Sequence, residues 1–76
     1  MRVLIRQRES SKFLADREHW VEDRHDALDF ASSVMALNVA GRMNLRRVEI
    51  VLDFGKSAAD VVLNIPDDSK NPPRLR

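Results

Sequence analysis

The sequence predicts an α+β fold: a two-layer sandwich, with a mostly antiparallel sheet covered on one face by helices, in the order β-β-(β)-α-α-β-β. Three observations carry that expectation. Apolar residues alternate with polar ones near the start, in Arg2 to Arg8, and again in Val48 to Phe54 and Asp60 to Ile65. Between these runs, Val34, Leu37, Ala40 and Met43 recur at helical spacing. No repeat or linker composition divides the 76 residues, so one domain is expected over 1–66. Residues 67–76 hold one apolar residue and two consecutive prolines, the composition of a disordered tail.

Each element has a local cause. Val3 and Ile5 give the first strand its inner face, and Glu9-Ser10-Ser11-Lys12 suits a hairpin turn into Lys12 to Ala15. A short third strand is read at His19 to Glu22, completing a meander. Asp23 is placed to cap a short helix from Arg24 to Phe30, with Ala27, Leu28 and Phe30 as its apolar side. Ser32 or Ser33 caps the second helix. Asn44, which tolerates a left-handed backbone, ends it with Leu45 packing back. Val48 to Phe54 and Asp60 to Ile65 then form a hairpin around Gly55 to Ala59, and Pro66 stops the last strand. The expected core sets Val3, Ile5, Phe13, Val48, Ile50, Leu52, Val61, Leu63 and Ile65 against Leu28, Phe30, Leu37 and Ala40. Trp20 closes one end.

Composition excludes more than it names. Thirteen Lys and Arg against twelve Asp and Glu leave a formal charge of +1, so no net field draws in nucleic acid or an anionic membrane. Without cysteine there is no disulfide, thiol nucleophile or thiolate metal site, which fits a cytoplasmic setting. The longest apolar runs, Val3-Leu4-Ile5 and Ile50-Val51-Leu52, are far below the roughly 20 residues that span a bilayer. No membrane partner is expected. A core of this size rarely supplies more than about 3–5 kcal/mol, which makes association with a protein or a second copy a natural supplement.

Catalytic chemistry lacks its parts. No serine stands in a G-x-S-x-G elbow, and no glycine-rich phosphate loop is present. His25 and Asp29 are four apart, a pair that would share a helix face, but neither they nor His19 have further ligands at metal spacing. The sequence reading is therefore a non-enzyme with no cofactor and no catalytic or metal residues, and a small enzyme or metal site around His19 and His25 is the disfavoured last alternative.

Leu4, Val51 and Val62 fall opposite the core positions of three strands, among Arg2, Arg6, Arg8, Glu49, Asp53 and Asn64. An apolar centre inside a charged rim is the anatomy of a protein interface. Leu4, Arg6, Glu49, Val51, Asp53 and Val62 are accordingly the expected contact residues of a protein-binding or self-associating module. The alternative is a nucleic-acid-binding accessory domain that presents Arg2, Arg6 and Arg8 to phosphates, helped by Arg46, Arg47, Lys70, Arg74 and Arg76. It ranks second, because Glu49 and Asp53 are positioned to pair with those arginines across strands.

Phe13-Leu14, Trp20, Asp23, Ala27, Phe30 and Ser32 or Ser33 resemble a pattern in small uncharacterised bacterial and phage-associated proteins. That pattern is an aromatic-Leu strand followed by Trp, an acidic residue, Ala, Phe and Ser or Thr. The chain departs from it before Trp20, where Asp16-Arg17-Glu18-His19 replaces the usual glycine turn. The resemblance implies the same order of elements and no catalytic or ligand-binding residue. Read physically, it is a packing motif with Trp20 lying over Ala27 and Phe30 beside it.

Overall fold

The computed structural model describes residues 1–16, 19–56 and 58–65. The expected tail, Pro66 and the centre of the turn before His19 lie outside the described residues. Five strands, β1 (Arg2–Gln7), β2 (Phe13–Asp16), β3 (His19–Val21), β4 (Val48–Asp53) and β5 (Val61–Asn64), form one antiparallel sheet in the order β3-β2-β1-β4-β5. A single α-helix, α1 (Ser33–Arg42), packs on β1 and β4. Sheet and helix enclose Val3, Ile5, Leu14, Ala36, Ala40, Val48 and Ile50, with Trp20, Phe30, Val39, Met43 and Leu45 around them.

Both ends of α1 are set locally. The Ser32 hydroxyl accepts the Met35 N–H at 3.2 Å, the bond that makes serine a good N-cap. Asn44 takes the left-handed conformation at φ 53°, which lets the Leu45 N–H reach back to the Ala40 carbonyl at 2.9 Å and the Asn44 N–H to Gly41 at 3.2 Å. Those paired bonds satisfy the last carbonyls and turn the chain toward β4, while Leu45 packs on the core.

The expected first helix is not formed. Arg24–Asp26 makes one 3-10 turn, capped by Asp23, and Ala27 is already extended. The reason lies in the sheet. β1 and β2 pair at Arg6 and Phe13 near their hairpin, and residues 27–30 take over the bonding farther along. The Leu28 N–H bonds the Leu14 carbonyl at 3.0 Å, the Phe30 N–H bonds Val3 at 2.8 Å, and the Asp29 carboxylate accepts the Val3 N–H at 3.0 Å. A helical segment has no N–H groups free for this, so strand-edge satisfaction overrides the capping signal. The same wedge carries the chain through the sheet: Ala27 packs beyond the face that Phe30 helps to cover. Trp20 and Phe30 therefore share a cluster, and the expected stacking of Trp20 on Ala27 does not occur.

Four core expectations also change. Phe13 joins Leu4, Ala27 and Val51 on the face away from α1, since its neighbour Leu14 already occupies the helix side. On α1 the buried stripe is Ala36 and Ala40, whereas Val34 and Leu37 are exposed. Val3, Ile5, Val48 and Ile50 fill the layer beneath the helix and leave room for alanine only. Val61 and Leu63 point to the helix side but are exposed, because α1 rests on β1 and β4 and leaves β5 uncovered. Leu28 is exposed as well, held in the wedge by its backbone.

Candidate interaction surface

The strand register places the outer face row by row. Leu4 stands opposite Val51, and Val51 opposite Val62; the next row is Arg6, Glu49 and Asn64; Arg2 faces Asp53 at the far end. The six expected contact residues thus share one face. Arg6 Nε donates to Glu49 Oε2 at 2.6 Å, the cross-strand pairing that alternation along β1 and β4 implied.

The apolar centre is not open, however. The chain leaving β3 folds over this face, and Leu4 and Val51 are fully buried with Phe13, Ala27 and Val21. Arg24 forms the roof. Its guanidinium lies 5.4 Å from the Phe13 ring centre, 2.9 Å from Asp60 and 3.4 Å from Asp53, while Arg6 approaches the same ring at 5.9 Å. Arg2 holds the roof in place by donating to the carbonyls of Arg24 and Ala27 at 2.9 and 2.8 Å. Leu4 and Val51 are core residues of a second, smaller layer, and the reading of them as exposed contacts is corrected on that ground.

Electrostatics follow this geometry. The Gly55 N–H, bonded at 2.8 Å, and then the Arg24 charge hold the Asp53 carboxyl below its ordinary pKa. Asp60, and then Asp53, raise that of Arg24. Asp29 is lowered by the N–H groups of Val3 and Ala31. With its carboxylate used in this way, Asp29 does not join His25, which instead sits 3.1 Å from Asp23. His19 pairs with Asp16 at 3.0 Å on the surface. Among the described residues no group of three His, Asp or Glu side chains is arranged to hold a metal, and no helix is long and apolar enough to cross a membrane.

No family model, curated protein or solved structure matches the chain. Its own surface therefore carries the functional argument.

Of the two edge strands, β3 and β5, β5 is the more exposed. All four residues of β5 are exposed, Val61 at 44%, Val62 at 41% and Leu63 at 40%, and the strand contains no charge or proline. Charge marks its two ends. The Arg8 guanidinium reaches the Ile65 carbonyl at 3.4 Å at one end, and Asp60 precedes Val61 at the other. Sequence reasoning placed Val62 on the surface but assigned Val61 and Leu63 to the core. It also missed Arg24, whose partners Asp53 and Asp60 are 29 and 36 positions away and adjacent only through β4 and β5.

Proposed function

We propose that this chain is a non-catalytic association module that pairs with a second copy through β5, extending the sheet across a two-fold axis. The observation that carries the reading is an uncharged, apolar edge strand with every residue exposed. Such an edge offers unpaired N–H and C=O groups to another strand, and proteins that remain monomeric usually blunt it with charge, proline or a bulge. Charge favours the antiparallel arrangement. A two-fold axis through the middle of β5 brings the Arg8 end of one copy beside the Asp60 end of the other, and each contact is made twice. Val62 contributes from the outer face and Val61 and Leu63 from the helix side, so the contact straddles the edge.

Sedimentation velocity across a concentration series tests the proposal. The wild-type chain is expected to show a concentration-dependent dimer, and Val62→Glu to stay monomeric with an unchanged circular-dichroism spectrum. A wild-type chain that is monomeric at its highest soluble concentration overturns the reading. Val51→Glu has a different consequence: it puts an unpaired charge into the second layer and is expected to cost about 3–5 kcal/mol in urea unfolding.

A further inference from the structure

The sheet's hairpin end gathers a second feature, which shares only Arg8 with the β5 edge. Arg8 follows β1, Arg42 closes α1, and Arg46 and Arg47 precede β4; the Arg8 N–H bonds the Arg47 carbonyl at 2.9 Å, which ties the two stretches together. All four residues are exposed. The acid next to them is Glu9, which takes Arg47 at 2.8 Å, and Glu49 is used by Arg6. Arg42 and Arg46 have no ion pair among the described residues. At the neighbouring β2–β3 corner Lys12 and Glu22, which flank the paired Phe13 and Val21, carry opposite charges. Most remaining described acids lie elsewhere, with Asp23, Asp26, Asp29, Asp53 and Asp60 in the roof, wedge and β4–β5 segments. The near-neutral chain is thus electrically two-ended.

The α1 C-terminus lies at this basic end, but its partial charge of about half an electron does not neutralise four guanidinium groups. Arg24, Arg2 and Arg6 are the contrast: they are half-buried and held by acceptors inside the chain, whereas Arg8 and Arg47 make their contacts to Ile65 and Glu9 at the exposed surface and Arg42 and Arg46 have no ion pair among the described residues. From these positions we infer that Arg8, Arg42, Arg46 and Arg47 form a binding site for the phosphodiester backbone of nucleic acid. Guanidinium forks match phosphate oxygens in a bidentate fashion, whereas ammonium groups do not. No tryptophan or phenylalanine lies in the segments that build this end, so bases have no stacking platform there and binding is tolerant of sequence. An anionic membrane fits less well: none of the exposed large apolar residues stands in the 8–12 or 42–47 stretches that carry the arginines, so those stretches supply no apolar wedge of their own.

Fluorescence anisotropy with a short labelled DNA duplex and a single-stranded RNA, using the full chain, tests the site. Four phosphate contacts predict affinity for the duplex falling roughly 100-fold between about 50 and 200 mM salt. Arg42→Gln with Arg46→Gln halves the number of contacts, so the fall shrinks to roughly tenfold. Lys56→Gln, in the β4–β5 turn, leaves binding unchanged. A stronger response to the RNA assigns the site to single strands and also supports the inference. Absence of salt-sensitive binding to both probes, an unaltered salt slope in the double variant, or binding confined to vesicles of anionic lipid overturns it.

Discussion

Arg24 shows how one side chain decides whether a surface is open. It covers Phe13, pairs with Asp60 and Asp53, and sits where Arg2 fastens its own carbonyl. Asp53 is itself buried. Removing the guanidinium leaves that carboxylate with the Gly55 N–H as its remaining bonded donor and exposes the edge of the second layer. Arg24→Ala is expected to destabilise the chain by about 1–3 kcal/mol, read as a lower urea midpoint. Arg24→Lys recovers only part of this, because an ammonium group keeps the charge but not the planar guanidinium that lies over Phe13. Neither change was foreseeable from the neighbourhood of Arg24 in sequence, where Asp23 and Asp26 are the nearest acids.

At the scale of elements, α1 is the best test of how far periodicity reaches. The helix ends were legible to within a residue: Ser32, one of the two serines read as the cap, and Asn44 act through bonds to residues within a few positions of themselves. The rotational phase was not. The spacing puts Leu37 on the stripe with Ala40, and Ala36 beside it, and the structure buries Ala36 instead of Leu37 because of the depth left above Val3, Ile5, Val48 and Ile50. That depth admits a methyl group. Ala40→Leu is expected to cost about 1–3 kcal/mol through overpacking, whereas Leu37→Ala on the exposed side is expected to leave the melting temperature close to wild type. Thermal denaturation of the two variants separates the two phases directly. The wedge at 27–30 makes the same point: its capping Asp23 and apolar spacing read as helix, but the open carbonyls of Leu14 and Val3 require extended donors.

The whole molecule is held by two apolar layers and by carboxylates whose acceptor positions are filled. Asp53, Asp29 and Asp23 all have pKa values below the ordinary 3.8, so their bonds add stability that is fully present above that value and lost as pH falls through the lower, folded values. The urea midpoint is therefore expected to change little on going down from neutral pH and to drop below about pH 4. Asp53→Asn, tested by the same titration, shallows the acid limb. At this scale the nearly balanced charge also acquires an arrangement. Arginine and acid cancel across β1, β4 and the roof, while the hairpin end keeps its arginines exposed.

By itself the sequence determined the strands, the longer of the two helices it predicted, and the shared outward face of Leu4, Val51 and Val62, because alternation and helical spacing act over a few residues. It determined the Arg6–Glu49 pair for the same reason once β1 and β4 are neighbours. Only the tertiary structure decided that Leu4 and Val51 are covered while β5 is bare. Burial depends on which distant segment crosses a face, and here the chain from β3 passes over one side and through the sheet to reach α1 on the other. Local periodicity says which side chains share a face; the path of the backbone says which face meets water.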